Sequence, residues 1–481
     1  MYKQIIDKFK NAFNFKPTLH SRGIGIECEI PITTQEGNAV ELVIIQEMFS
    51  YLGKEGFELE RDDFSGLITA AVRDSQKKSA FAYCKDTITT DTAFSTVEVV
   101  LAPHNNLHDI QVELDKLLAL LITYFDSQNC LMLGYGIQPV TPASAKLLMP
   151  KERYSFFKKF STNYIIPKSE GADSDLLNIT ASNQCHIQVD SKEAIIGTNV
   201  LNALSGLQIA LHANSPIWQG RVDPKGKANR ELLWDSCFPD RLNQVGIPPK
   251  FESLDEYVAY LLNFKPLLVK RGDKYLQIIN KETVKDFLLD KKVAAIGETL
   301  NGKKRKIIPR ANDMNELIPF SWFNARLVPK YGTLENRMCC QQPPKETLTS
   351  TALTLGLLEN LEAAQVLADT FSLDTWRKVR VAASRATFET SIDGKSIVPL
   401  ISRLLDIAKE GLISRGLGEE VFLAPLYARL AKRKAPADVA IAIFEQQGMD
   451  VFLNHVAFKI EDYPIVFEES FEESFEENIT L

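Results

Sequence analysis

The sequence predicts an α+β protein: a sheet with one apolar and one polar face, helices against the apolar face, and a helical region after it. Three observations carry this. Short runs of alternating apolar and polar residues recur between Gly23 and Met338, and their polar positions are acids, amides and a histidine. Helical stripes stand between them, as in Leu107 to Phe125, where Ile110, Leu114, Leu117, Leu118 and Leu121 recur. From Lys345 onward the period is helical and stays so.

Composition narrows the classes of function. With 481 residues, 45% hydrophobic and 24% charged, the chain has the make-up of a globular protein of one large or two ordinary domains. The net charge of −7 leaves no basic excess to neutralise phosphates, which argues against nucleic acid and anionic membranes as partners. The run Lys303-Lys304-Arg305-Lys306 reads as a solvated loop. No apolar stretch approaches the ~20 residues a membrane span needs. The first residues lack the apolar core of a signal peptide, so a cytoplasmic location is expected. Seven scattered cysteines without metal-finger spacing read as reduced thiols, and no zinc site is expected.

Taken in order, Ile5, Ile6, Phe9 and Phe13 define a short amphipathic helix. In Gly23-Ile24-Gly25-Ile26-Glu27-Cys28-Glu29-Ile30-Pro31, period two sends Ile24, Ile26, Cys28 and Ile30 to one face and Gly25, Glu27 and Glu29 to the other. Two carboxylates that share a face describe either a solvated surface or a divalent-cation site. A helix is expected from Ala39 to Leu52, and strands at Leu67 to Val72, Ser79 to Tyr83 and Thr92 to Leu101; the last sets Glu98 among β-branched residues. The stretch Leu131 to Pro139 ends a strand in Gly134, Gly136 and Pro139, a loop where backbone can approach closely.

Pro150 opens a helix expected to run to about Phe160. In Cys185-His186-Ile187-Gln188-Val189-Asp190 a second polar strand face carries His186, Gln188 and Asp190. Ser191 to Ala213 reads as one long helix. After it, Arg221, Lys225, Lys227 and Arg230 are either a phosphate-embracing loop or a solvated one. Residues 253 to 264 and 281 to 290 read as short helices, and the segment between about 265 and 320 gives no clear period. Tyr331 to Met338 gives a third acid-bearing strand with Glu335 and Arg337 on one face. Helices are expected at Thr347 to Phe371, Leu373 to Phe388, Ile397 to Leu412 and Glu419 to Arg433, broken at Gly394, Gly416 and Pro436. The end, from Phe467 to Asn478, repeats Phe-Glu-Glu in a low-complexity tail expected to be disordered.

Seven of these segments stand in the order seen in glutamate-cysteine ligases: Glu27-Cys28-Glu29, Thr96-Val97-Glu98, Leu133 to Pro139, Met149-Pro150-Lys151-Glu152-Arg153-Tyr154, Gln184 to Asp190, Ala213-Asn214-Ser215-Pro216 and Leu334-Glu335-Asn336-Arg337. The chain most resembles the plant and proteobacterial branch, which is related to bacterial carboxylate-amine ligases. The resemblance implies a glutamine-synthetase-like curved antiparallel sheet whose concave polar face holds ATP, magnesium and an acidic amino acid. The resemblance spans Gly23 to Met338, covers the region after Lys345 only loosely and does not reach the tail; with the helical period and the composition of the end it gives an expected catalytic domain over 1–344, a helical region over 345–465 packed on it, and an acidic disordered tail over 466–481.

The activity it implies is ATP-dependent formation of a γ-glutamyl amide through a γ-glutamyl phosphate. The expected reaction joins glutamate and cysteine to γ-glutamylcysteine, the first step of glutathione synthesis. A ligase joining glutamate to another amine or a peptide is the alternative, and a non-catalytic binding protein of the same fold is a second. By match to the family's motifs, Glu27, Glu29, Glu98 and Glu335 resemble the metal ligands for Mg2+, and Arg337 and Arg230 the clamps on phosphate and acyl phosphate. Arg153, Tyr154 and Gln188 resemble substrate contacts, and His186, Asn214 and Ser215 the nucleotide side. Met338-Cys339-Cys340-Gln341-Gln342 departs from the small and acidic residues expected there, which leaves the acceptor amine open. The tail is a candidate surface for a protein partner.

Overall fold

The computed structural model describes residues 1–16, 21–75, 85–156, 173–237 and 239–463. Among them an antiparallel sheet of nine strands forms the centre: β1 (Ile24–Thr34), β2 (Glu58–Arg61), β3 (Ile68–Asp74), β4 (Lys85–Thr90), β5 (Thr96–Val100), β6 (Cys130–Met132), β7 (Asn183–Gln188), β8 (Ala325–Val328) and β9 (Thr333–Asn336). The strand order is β8-β9-β7-β1-β5-β4-β3-β2, with β6 paired to the last residues of β1.

The period-two pattern has a direct consequence here. Ile24, Ile26, Cys28 and Ile30 are fully buried, as are Val97 and Val99 on β5, Cys185 and Ile187 on β7, and Leu334 on β9. Helices lie over these strands. Leu42–Lys54 packs on β3, Ser191–Ala203 on β8 and β9, and Thr349–Glu359 on β7. One continuous hydrophobic core therefore includes residues on both sides of position 345. Gly356 and Gly411 bring helices Thr349–Glu359 and Val398–Arg415 into backbone contact, so close that a β carbon at either would overlap the other helix.

The register decides which polar groups meet. Glu29 stands opposite Glu98, Glu27 opposite Gln184, His186 opposite Glu335, and Glu335 opposite Arg326. Residues directly opposite in an antiparallel ladder project to the same face, so five strands contribute to one polar surface.

Several elements differ from their sequence-based expectations. The strand expected from Thr92 begins only at Thr96, because residues 91–95 turn the chain between β4 and β5. The helix expected over 191–213 is two, Ser191–Ala203 and Ser205–His212, bent by 57°. Both are core helices; no single described helix is long and apolar enough to cross a membrane. The segment without a clear period holds a four-stranded antiparallel sheet, Leu268–Arg271, Lys274–Ile278, Ala295–Glu298 and Lys304–Ile307. Lys304–Ile307 is thus an edge strand, and its Lys304, Arg305 and Lys306 are exposed charges of the kind that keep such edges from pairing. Pro436 begins a further helix, Pro436–Val456, instead of only ending a helical run. The strand expected at Ser79 to Tyr83, the helix beyond Phe156 and the acidic tail lie outside the described residues.

Candidate active site

On the polar face of β1, Glu27 Oε1 lies 3.0 Å from His186 Nε2, whose other ring nitrogen is 3.0 Å from Thr333 Oγ1. Burial works against the imidazolium, but the charge and hydrogen bond of Glu27 outweigh it, with Glu335 adding to them, and the His186 pKa is raised. Glu335 is held from two sides. Arg326 Nε donates to Oε2 at 2.6 Å and Arg337 Nη1 to Oε1. Burial alone would raise this carboxyl, yet Arg326 and Arg337 hold it well below the usual carboxylate range.

Arg337 Nη1 also donates to Gln184 Oε1 at 2.7 Å, and Gln184 Nε2 donates to Glu29 Oε1 at 2.7 Å. The second Glu29 oxygen accepts from the Ser182 backbone N–H at 2.6 Å. Glu29, Gln184, Arg337 and Glu335 thus form one continuous chain of polar contacts across β1, β7 and β9. Arg337 Nε and Nη2 make no hydrogen bond among the described residues.

Towards β5 the balance of charge reverses. Withdrawal from water, followed by the charges of Glu27, Asp91 and Glu29, pushes the Glu98 carboxyl well above its ordinary pKa. Asp91 rises to about 7, again through withdrawal from water and then the charge of Glu29, against partial relief from Lys151 and Arg337. Lys151 Nζ donates to the Thr90 carbonyl at 3.2 Å and lies 5.3 Å from the Tyr154 ring centre. This corner holds more acid than its cations neutralise, a composition suited to a hard divalent cation. Glu27, His186 and Glu335 also bring one ligand atom each within 4.8 Å of one another. Carboxylate oxygens with one imidazole fit Mg2+ or Mn2+.

The residues named from sequence divide into groups. Glu27, Glu29, Glu98, Glu335, His186 and Arg337 share the polar face. Arg153 and Tyr154 sit on a single helical turn, Glu152–Ser155, with Arg153 Cζ 5.4 Å from the Phe320 ring centre and Tyr154 beside Lys151. Gln188 Oε1 accepts from the Gly23 backbone N–H at 3.1 Å, at the entry to β1. Asp190 spends its carboxylate capping helix Ser191–Ala203.

Asn214 and Ser215 are fully buried and act on backbone. Asn214 Nδ2 donates to the Gly134 and Gln341 carbonyls, both at 2.8 Å, and Ser215 Oγ accepts from Arg230 N–H at 3.1 Å. They position loops and do not face solvent. Gly134 and Gly136 are needed for the same reason, because a β carbon on either would collide with the 340–344 segment. Of the four loop cations, Lys227 pairs with Asp438 at 2.6 Å, Arg221 and Lys225 are not buried, and Arg230 is buried. Arg230 Nη1 donates to Glu231 at 2.5 Å, and its Nε is buried without a partner. It lines a small cleft with Trp234, Asn324, Arg337 and Arg380, so the two proposed arginine clamps meet there. Cys339, Cys340, Gln341 and Gln342 are buried, and Gln341 Nε2 holds the Glu29 carbonyl at 2.7 Å. The unusual residues after Arg337 are therefore packing behind the sheet.

Sequence reasoning missed Asp91, Lys151 as a cation of the site, Gln184 and Arg326. Asp91 stands in a turn, where no periodicity marks it, and Arg326 lies across a hairpin from Glu335, on a four-residue strand just after the segment without a clear period.

A family model described as glutamate-cysteine ligase family 2 matches residues 50–438. A chloroplastic glutamate-cysteine ligase A of Oryza sativa subsp. indica is 26% identical over 358 residues, 72% of this chain and 67% of the relative. A putative glutamate-cysteine ligase 2 of Chloroflexus aurantiacus is 25% identical over 265 residues, 55% of this chain and 52% of the relative. Among solved structures, a glutamate-cysteine ligase from Francisella tularensis in complex with AMP is similar at TM-score 0.57 and 12% identity, covering 95% of this chain and 91% of that one. A bifunctional glutathione synthetase from Pasteurella multocida is similar at TM-score 0.53 and 12% identity, over 96% of this chain and 53% of that one.

Proposed function

The chain belongs to glutamate-cysteine ligase family 2, and as a ligase of that family we propose that it uses ATP to join the γ-carboxylate of glutamate to the amine of cysteine. One observation supports this reading most: a single sheet face and the turn beside it set an excess of acids, Glu27, Glu29 and Glu98 with Asp91, beside Arg337, whose Nε and Nη2 are unengaged among the described residues. Phosphoryl transfer asks for that division, with carboxylates to hold hard cations on one side and fixed positive charge on the other.

Glu27, Glu29 and Glu98 would hold Mg2+, with His186 and Glu335 beside them. When bound, the ion supplies positive charge that neutralises the phosphate oxygens of ATP. A γ-carboxylate oxygen of glutamate attacks the γ-phosphorus and ADP leaves, giving an acyl phosphate. Arg337 and Arg230 bind the transferred group, each from a guanidinium fixed by an acid, Glu335 and Glu231 respectively. The amine of the second substrate attacks the acyl carbon, loses its proton, and phosphate departs with one oxygen that came from glutamate. Arg153 and Tyr154, one turn of helix beside Lys151, would contact the amino-acid substrate.

Isotope transfer tests the intermediate. Glutamate labelled with oxygen-18 in its γ-carboxylate should pass one label to each phosphate released in the presence of ATP and cysteine. Unlabelled phosphate with product formed would exclude the acyl phosphate.

A further inference from the structure

Helices Ala424–Lys432 and Pro436–Val456 and the turn at Pro343–Glu346 enclose a groove of about 710 Å³ that the ligase reading does not use. Its floor is apolar, with Pro344, Val439, Ile443 and Val451, and Val439 and Val451 are 39% and 40% exposed. Its rim is basic. Lys432, Lys434 and Lys459 line it, and none of the three has an acidic partner among the described residues. The two acids in the lining are already answered, Glu346 by Arg429 and Asp462 by Lys345 at 2.7 Å. His455 adds to the picture, since burial and the charge of Lys459 lower its pKa.

The last described residues arrive at this groove. Asp462 is part of its wall, and Tyr463 Oη accepts from the Lys345 backbone N–H at 3.0 Å. Beyond Tyr463 the sequence runs Pro464 to Leu481, with Phe467, Phe471 and Phe475 at every fourth position and six glutamates between and after them. It contains no lysine or arginine, so it carries six of the seven net negative charges of the chain. Spacing of four sets aromatic rings along one face of a helix. Phe467 is the fourth residue after Tyr463, an extended reach of roughly 13 Å.

We propose that this acidic tail docks in cis into the groove, its phenylalanines on the floor formed by Val439, Ile443 and Val451 and its glutamates against Lys432, Lys434 and Lys459. Like charges at this density oppose any compaction of the tail by itself, and the three lysines of the rim offset part of that repulsion. The occupant is identified by complementarity of charge and apolar stripe and by the point where the tail leaves the fold. The proposal is independent of the catalytic reading.

Zero-length carbodiimide coupling of the dilute full-length chain, mapped by mass spectrometry, tests it. The expected products join Glu468 to Glu477 with Lys432, Lys434 or Lys459 within one chain, and a Phe467→Ser, Phe471→Ser, Phe475→Ser variant should lose at least about five-fold of their yield. Coupling mainly to Lys303, Lys304 or Lys306 would overturn the site. Products found only between labelled and unlabelled chains in a mixture would replace the cis tail with that of a second copy. Undiminished coupling in the triple serine variant would reduce the contact to charge alone and overturn the seated groove, as would absence of coupling to all three lysines.

Discussion

Glu29 on β1 and Glu98 on β5 stand directly opposite each other in the sheet, two carboxylates of like charge in register on one face. Cross-strand pairs of that kind are destabilising on their own. The surroundings have answered only one member of the pair. Glu29 is tied by Gln184 and the Ser182 N–H, whereas Glu98 has its ionised form disfavoured by burial, Glu27, Asp91 and Glu29. A pair that costs stability without a cation and gains from one is the arrangement expected of a binding site.

Replacement of Glu27 or Glu98 by Gln keeps shape and removes one unit of charge. Both variants should lose about 100-fold or more in kcat/KM, on the order of 3 kcal/mol of transition-state stabilisation, with melting temperature unchanged or slightly raised. Glu335→Gln should behave differently, because it strands Arg326 and Arg337 in a buried site and costs on the order of 3 kcal/mol of stability as well. Steady-state kinetics and thermal melts of the three variants separate the two roles. Equal melting temperatures throughout would remove the structural role given to Glu335.

Asp91 gives the pH dependence. Its folded pKa is raised from 3.8 to about 7, so the folded state holds this proton more tightly than the unfolded one. Its contribution to stability is complete below about pH 4 and is lost as pH rises through 7. In excess chelator, the wild-type melting temperature should fall between pH 5 and 8 by roughly 2 °C or more than that of Asp91→Asn. Added Mg2+ should shrink the difference. Parallel pH profiles for the two proteins would count against the placement of Asp91 in the acid corner.

The thiols should be inert in the native state. All six described cysteines are buried, and burial raises the pKa of Cys28, Cys130, Cys185, Cys339 and Cys340, that of Cys185 to about 12. Titration with a chromogenic disulfide reagent at pH 8 should modify at most Cys84 rapidly, and all seven after denaturation. Fast reaction of two or more thiols in the folded protein would contradict the packing around β1 and β7.

Much of the site was legible because period two is a strong constraint on a sheet with one buried face. Once Ile24, Ile26 and Cys28 take the core, Glu27 and Glu29 can only face the other way, and the same reasoning places Glu98, His186 and Glu335. Groups outside that periodicity were not legible. Asp91 sits in a turn, and residue type does not reveal that the side chains of Asn214, Ser215 and Gln188 bond backbone groups. The four-stranded sheet within 268–307 was missed because its strands are four or five residues long and its last one reads as a run of cations.

In the proposed function one polar face performs ATP-dependent amide formation on glutamate. Purified protein supplied with ATP, Mg2+ and glutamate should form ADP and γ-glutamylcysteine in equal amounts on addition of cysteine, with 2-aminobutyrate accepted less well and cysteamine poorly, and chelation should abolish both products. Release of ADP that is indifferent to glutamate, or the absence of an amide with every amine tested, would contradict the proposed function; cysteamine or methylamine matching cysteine would replace cysteine as the acceptor.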